Sequence, residues 1–150
     1  MVKHKAHKKE KGQSLVEFAL VLPILLILLA GVLDVARMYY VYVVLTDAAA
    51  EGVSYAAIKP PVDPSDPEDP STTEIQARTL SACTGVDDGV QSVDVDCPTC
   101  PNVTTGDAIT VTVTYRYSVM TPFLNAMFDG GTIDMEARAT GVVISGELPE

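Results

Sequence analysis

The residues best placed to do chemistry lie near the start of the chain, where Gly12 is followed five positions later by Glu17. Glu17 directly precedes an apolar run, residues 18–33, that contains no charged side chain. An ionised side chain inside hydrocarbon is disfavoured by about 2.5–3.5 kcal/mol on insertion scales. The Glu17 carboxylate therefore needs a partner, and the identity of that partner bears directly on function.

Charge is divided between a basic head and an acidic body. Residues 1–12 contain five lysines and two histidines against one glutamate, whereas the chain from Gln13 onward carries 5 Lys and Arg against 19 Asp and Glu. This distribution argues against nucleic-acid binding, which needs a basic surface on the folded part. A basic head before an apolar span instead predicts a cytoplasmic N-terminus and an extracytoplasmic body.

The apolar segment is long enough to cross a membrane. As a helix, residues 14–37 would extend about 36 Å, which exceeds a hydrocarbon core of about 30 Å. Pro23 lies inside the span, where membrane helices tolerate it. A cleaved secretory signal peptide is disfavoured because Ala30-Gly31-Val32 is followed by more apolar helix rather than a polar mature start. An uncleaved signal anchor stays open.

Helical periodicity continues beyond the span, so we predict one helix of about 45 residues that ends near residue 59. Its second half is amphipathic. The predicted inward face consists of Met38, Tyr42, Leu45, Ala49, Val53 and Ala56. We expect Asp34, a second acid within the helix, to pair with Arg37 three residues later.

Residues 60–70 form a Pro- and Asp-rich loop, followed by a short helix that a capping box at Ser71 and Glu74 is expected to start. Calcium binding by the loop acids is conceivable, but the sequence has no calcium-loop spacing, and we expect no metal site. The candidate ligands would be Asp63, Asp66, Glu68 and Asp69.

The rest of the chain alternates between apolar and polar residues, which predicts strands. One strand places Gln91, Val93 and Val95 inward, and a second, the clearest, covers residues 109–119. A helical or looping excursion is expected at residues 121–128, and a turn at 129–131 precedes the last strand. That strand has Ile133, Met135, Ala137 and Ala139 inward.

The predicted fold class is therefore α+β. A long membrane-spanning helix packs its amphipathic half on a small antiparallel sheet of about three strands, with one short extra helix. The predicted segments are a basic cytoplasmic leader (1–12), a transmembrane and assembly helix (13–37), its amphipathic continuation (38–59), the loop (60–70) and an extracytoplasmic domain (71–150).

Three cysteines, Cys83, Cys97 and Cys100, cannot all pair within one chain. A strand between Cys83 and Cys97 would hold their Cα atoms more than about 20 Å apart, and a disulfide needs them within about 7 Å. We therefore favour a Cys97–Cys100 disulfide with Cys83 buried or free. Their Cys-x-x-Cys spacing also occurs in redox proteins, but that chemistry requires a βαβ context, which the pattern here does not predict.

No hydrolytic or phosphate-binding motif is visible in the body, which contains no histidine. We therefore expect a non-enzymatic protein without a cofactor.

The stretch from Lys11 to Pro23, KGQSLVEFALVLP, resembles the start of a prepilin of the type IV filament superfamily, specifically a TadE-like minor pilin or pseudopilin. The common features are a short basic leader, a glycine, a glutamate before an aromatic residue, and a leucine-rich helix. The likeness extends more weakly to Arg37, Tyr39 and the strand at residues 109–117.

The resemblance implies cleavage by prepilin peptidase after Gly12 on the cytoplasmic face, so that Gln13 becomes the N-terminus and Glu17 its fifth residue. In this family the matching glutamate pairs with the N-terminal amine of a neighbouring subunit. Such a pair would answer the need for a partner, because a buried carboxylate is tolerated when a cation meets it.

Two departures from the family's major subunits favour a minor or initiating role. Phe18 stands where those subunits usually have tyrosine, and the body is far larger than theirs. The expected partners are prepilin peptidase, other pilin or pseudopilin subunits and the cytoplasmic membrane, and the expected location is a single-pass membrane protein incorporated into a surface filament. The alternative is an uncleaved, membrane-anchored extracytoplasmic binding module.

Overall fold

The computed structural model describes residues 12–66, 68–121 and 131–144. Two helices, a 3-10 turn and three strands follow in chain order. They are α1 (Gln13–Ile58), α2 (Pro70–Ala82), the 3-10 turn (Asp87–Gly89), β1 (Val90–Asp96), β2 (Ala108–Ser118) and β3 (Thr132–Val142). The α+β class and the long N-terminal helix predicted from the sequence are confirmed. Residues 1–11 of the expected leader (1–12), residues 122–128 of the expected excursion (121–128) and the first two residues of the expected turn (129–131) lie outside the described residues.

Helix α1 runs without interruption through 46 residues, about 69 Å at the standard rise. It ends where two prolines follow Lys59, because a residue that precedes proline is disfavoured in the helical conformation. Pro23 lies within this helix and does not interrupt it. The helix is therefore one rod that serves both the apolar segment and the folded body.

The second half of α1 buries one face against the body, and that face is wider than the periodicity predicted. Leu45, Ala49, Val53 and Ala56 are buried as expected. Tyr42, predicted to face inward, is instead 47% exposed, and Val41 is buried in its place. The physical reason is that α1 packs against α2 as well as the sheet, which widens the buried face to include Ala48 and Gly52.

Helix α2 is started by Asp69 rather than by the predicted capping box at Ser71. The Asp69 carboxylate accepts a hydrogen bond from the Ser71 backbone N–H at 2.8 Å, and Pro70 occupies the first helical turn. An aspartate N-cap followed by proline is a strong start signal. Glu74 binds the Lys59 ammonium at 2.9 Å instead, so α2 is tied to the end of α1.

The sheet is antiparallel with the order β1-β2-β3. Strands β2 and β3 pair throughout, from Ala108 opposite Val142 to Ser118 opposite Thr132. In β1 the register shifts between Val90 and Ser92, and Gln91, predicted to face inward, is exposed there. A bulge of this kind leaves one residue out of the alternation.

The core lies between the sheet and the two helices, and its fully buried residues include Leu45 of α1, Ile75 of α2 and Ile109 of β2. Strand β2 and α1 run in opposite directions. The Tyr117 hydroxyl binds the Asp34 carbonyl near the apolar half of α1, whereas Ile144 N–H, just after β3, binds the Ala57 carbonyl. The body thus has a proximal end, at Asp34, and a distal end, at Ala57.

Candidate assembly and processing segment

The residues predicted to carry processing and assembly lie together in the first turn and a half of α1. Gly12 is the N-cap residue, with φ −95° and ψ −25°, and no side chain caps the helix there. The Val16 N–H donates to the Gly12 carbonyl at 3.2 Å. The bond after Gly12 therefore separates the last non-helical residue from the first helical one.

Glu17 makes one side-chain hydrogen bond among the described residues. The Gln13 side-chain amide donates to its carboxylate at 3.2 Å, one helical turn away. A single neutral donor leaves most of the acceptor capacity of a carboxylate unused. Phe18, the next residue, is 62% exposed. Gly12, Gln13, Glu17 and Phe18 thus form one accessible segment at the tip of the rod.

From this tip to Leu33 the helix presents an almost continuous exposed apolar surface. Its large apolar side chains are exposed throughout, as Leu15 (71%) and Leu28 (63%) illustrate. Within the described residues, α1 is the one helix long and apolar enough to cross a membrane. Apolar surface of this extent requires lipid or other subunits to cover it.

Asp34 is the first residue of α1 that the body holds. Its carboxylate accepts a hydrogen bond from the Thr121 backbone N–H at 3.0 Å and a second from the Thr121 hydroxyl. Asp34 was expected to pair with Arg37, but the Arg37 guanidinium contacts the Met120 sulfur. The Asp34–Thr121 contact joins residues 87 positions apart, so no local pattern could have revealed it.

Tyr117 completes this joint from strand β2. Its hydroxyl donates to the Asp34 backbone carbonyl at 3.2 Å, and only 3% of the residue is exposed. Burial raises the pKa of the Tyr117 phenol. Asp34, Tyr117 and Thr121 together fasten the proximal end of the sheet to the helix where the apolar run ends.

The structure contains a Cys97–Cys100 disulfide, with Cα atoms 5.5 Å apart. The Cys100 sulfur lies 3.0 Å from the Pro61 carbonyl oxygen, which places the disulfide against the distal end of α1. Cys83 is free and buried, and burial raises the pKa of its thiol. Because the disulfide follows β1 and not the start of a helix, it lacks the context of a redox motif.

The acids of the Pro- and Asp-rich loop bind their own backbone. Asp69 accepts from the Val62 and Asp63 N–H groups at 2.9 and 2.7 Å. Burial opposes ionisation of Asp69, but the backbone donors outweigh it and lower its pKa. Asp63 is likewise bonded to Ser65, whose hydroxyl lowers the pKa of that carboxyl. Among the described residues no group of acids, cysteines or histidines is arranged to hold a metal ion.

An open cleft of about 470 Å³ lies at the proximal end, between α1, the 3-10 turn and β2. Arg37 and Tyr40 form its helix wall, while Tyr115 and Arg116 line it from the strand. Asp88 adds a negative charge from the turn. The cleft therefore carries both signs of charge and lies beside the Asp34 joint.

The model of the family described as TadE-like protein matches residues 12–54. The N-terminal segment is therefore similar to this family over residues 12–54. The resemblance inferred from Lys11–Pro23 is confirmed, and the match begins at Gly12. No curated protein and no solved structure matches the chain.

The TadE-like segment coincides with α1 almost to its end at Ile58. The match therefore includes both the exposed apolar half and most of the half that packs on the body. The strand at residues 109–117, to which we extended the resemblance weakly, lies outside the matched residues.

Proposed function

We propose that this protein is a minor pilin or pseudopilin of a Tad-type system, a structural and non-catalytic subunit that takes part in initiating, assembling or capping a filament. The observation that carries this proposal is the exposed apolar half of α1 within a TadE-like segment. A helix that exposes apolar side chains on all sides serves as an anchor in lipid and as a contact between subunits.

Processing is part of the proposal. Prepilin peptidase would cleave after Gly12 and remove the basic leader, which could not follow the helix into a filament core because five lysines would be buried with it. The new amine at Gln13 would lie one helical turn from Glu17 of its own chain, and Glu17 would pair with the amine of a neighbouring subunit. The N-terminus before cleavage would be cytoplasmic.

Intact-mass spectrometry of the chain co-expressed with its peptidase tests the cleavage. The expected product has lost residues 1–12 and begins at Gln13. Gly12→Ala, which changes the residue before the proposed cleavage site, serves as the processing control. Its added Cβ meets no atom within 4 Å, so the substitution leaves the fold undisturbed. A wild-type product that retains residues 1–12 would contradict the proposed processing.

Substitution of Glu17 tests assembly separately from anchoring. Glu17→Ala and Glu17→Gln should both insert into the membrane normally yet fail to co-purify with other pilin subunits, because neither can neutralise an amine. Ser14→Ala, also exposed in the first turn, is the matched control and should assemble.

The alternative, an uncleaved membrane-anchored binding module, predicts the opposite result for these variants. In that case the anchor is needed only for its length and hydrophobicity, so removing the Glu17 carboxylate would leave partner capture unchanged. Normal subunit capture by Glu17→Ala would therefore favour the binding module over the pilin.

A further inference from the structure

The proximal end of the body lies next to the end of the apolar run. Asp34 directly follows Leu33, the last residue of that run, and Thr121 is hydrogen-bonded to the Asp34 side chain. If residues 13–33 span the membrane, they reach about 31 Å as a helix, which matches the hydrocarbon thickness. The Asp34 joint then lies at the boundary between hydrocarbon and headgroups.

Apolar and aromatic side chains are exposed at this end. Met120, adjacent to Thr121, is 70% exposed, and Tyr39 and Tyr40, between one and two turns of α1 beyond Asp34, are 68% and 59% exposed. Tyrosine is favoured where one end of a side chain is in lipid and the other in water. This surface is continuous with the apolar helix that enters the membrane.

We propose that the proximal surface, defined as Tyr39, Tyr40, Ser118 and Met120, lies within the headgroup layer of the membrane and forms a second lipid contact beside the spanning helix. The proposal rests on the membrane anchoring described under Proposed function. It implies that the body lies directly on the membrane before assembly and does not extend away from it on a free linker.

Charge at this end indicates what kind of lipid contact to expect. The cations Arg37 and Arg116 are accompanied by Asp87 and Asp88 of the 3-10 turn and by Asp134, which forms an ion pair with Arg116 at 2.9 Å. Such a surface has no net positive charge to attract anionic lipids. We therefore expect a contact made by apolar and aromatic groups, which is insensitive to salt and to the fraction of anionic lipid.

The chain contains no tryptophan, so a single introduced tryptophan reports on its own surroundings. Met120→Trp in the full-length chain, reconstituted in phosphatidylcholine vesicles, places the reporter at the proximal surface. Val142→Trp is the matched control, because Val142 is 54% exposed and lies at the distal end of β3, about 30 Å away along the strand.

Lipids brominated near the headgroup end of their acyl chains should quench Met120→Trp by at least about twofold if the residue lies 5–10 Å into the interface. They should leave Val142→Trp unchanged, whereas aqueous iodide should quench Val142→Trp more strongly. Equal iodide quenching of both variants, with no effect of brominated lipid on Met120→Trp, would overturn the proposal.

Three further measurements keep the test decisive. If Met120→Trp does not fold by circular dichroism, Ser118→Trp reports from the same surface. Adding Asp34→Ala to Met120→Trp removes the joint and should reduce quenching by brominated lipid. Quenching that appears only with anionic lipid and disappears in high salt would contradict the apolar contact.

Flotation of the wild-type chain with the vesicles separates the two proposals. A chain that does not float overturns the membrane anchoring of the proposed function. A chain that floats but shows no quenching at Met120→Trp overturns only the headgroup contact.

Discussion

The two halves of α1 belong to one continuous helix but differ in what surrounds them. From Gln13 to Leu33 the large apolar side chains of the helix are exposed, whereas from Asp34 to Ile58 it buries a face against α2 and the sheet. Both halves are rich in apolar residues, so composition alone does not distinguish them. The positions of the small residues do distinguish them, because Ala48, Ala49 and Gly52 occur where α2 and the sheet approach α1 closely.

The difference teaches that a helix can be specified by two different physical requirements along its length. The first half needs a continuous apolar surface on every side to satisfy lipid or neighbouring subunits. The second needs complementary shape on one face, where volume changes as small as one methyl group are costly. The same type of substitution should therefore have different consequences in the two halves.

The largest difference is expected for leucine truncation. Leu45→Ala removes a fully buried side chain and should lower the free energy of unfolding by about 2–5 kcal/mol. Leu25→Ala, at a position 55% exposed, should leave it nearly unchanged. Urea unfolding of the full-length chain in detergent, followed by near-ultraviolet circular dichroism of its tyrosines, measures both. Equal losses would abolish the distinction between the halves.

Adding a methyl group should give the next largest difference. In Gly52→Ala the new Cβ would lie 2.2 Å from the Thr79 hydroxyl oxygen, and such overpacking costs about 1–3 kcal/mol. The better helix propensity of alanine, up to about 1 kcal/mol, offsets part of this cost. In Gly31→Ala the Cβ meets nothing within 4 Å, so only the stabilisation from the better helix propensity of alanine remains. Thermal unfolding of the two variants should shift in opposite directions, and a stabilised Gly52→Ala would show that the α1–α2 contact is looser than described.

Asp69 fixes the chain just after the packed half ends, and its removal should have a moderate, pH-dependent effect. Asp69→Ala should cost about 1 kcal/mol at neutral pH through loss of the N-cap. Because the folded state lowers the pKa of Asp69, its contribution is complete above the unfolded value of about 3.9. That contribution is lost as the pH falls through the lower folded value.

Asp69→Asn separates the cap from the charge. Asparagine caps helices about as well as aspartate, so this variant should retain most of the stability at neutral pH and lose less on acidification. Urea titrations at several pH values between neutral and acid measure the effect. A wild-type acid profile in Asp69→Asn would assign the pH dependence to other carboxyls, such as Asp63.

The smallest effect is expected for the ion pair between the end of α1 and α2. Lys59 and Glu74 are 2.9 Å apart, with side chains 46% and 43% exposed. The Tyr55 hydroxyl and the Lys59 ammonium lower the pKa of Glu74, but water screens exposed pairs strongly. Lys59→Gln should therefore change the melting temperature no more than an ordinary surface substitution, at low and high salt alike. A large, salt-sensitive drop would show that charge contributes to holding the packed half.

The parts of the fold that depend on local pattern could be predicted from the sequence. The single long helix, the alternation of Ile133 to Ala139 in β3 and the short spacing of Cys97 and Cys100 are all properties of neighbouring residues. The inward face of α1 was only partly predicted, because periodicity assumes one packing partner and the helix has two. For that reason Tyr42, predicted to face inward, is exposed, and Val41 is buried.

Contacts distant along the chain could not be predicted in the same way. The partner of Asp34 was expected at Arg37, the nearest opposite charge, but Thr121 is brought to it by the length and direction of β2. At α2 the N-cap residue is Asp69, which precedes a proline, and the predicted capping box of Ser71 and Glu74 does not start the helix. The roles inferred from the Gly12–Glu17 spacing, which depends only on distance along one helix, stay predictions.

The uninterrupted rod has a consequence for orientation. Since the body grips α1 from Asp34 to Ala57, any rotation of the apolar half about its axis swings the sheet through the same angle. Moving the contact with a neighbour by one residue along the apolar half would turn the body by about 100°. In the proposed filament, the side of the helix that meets a neighbouring subunit would thus set the direction in which the body faces.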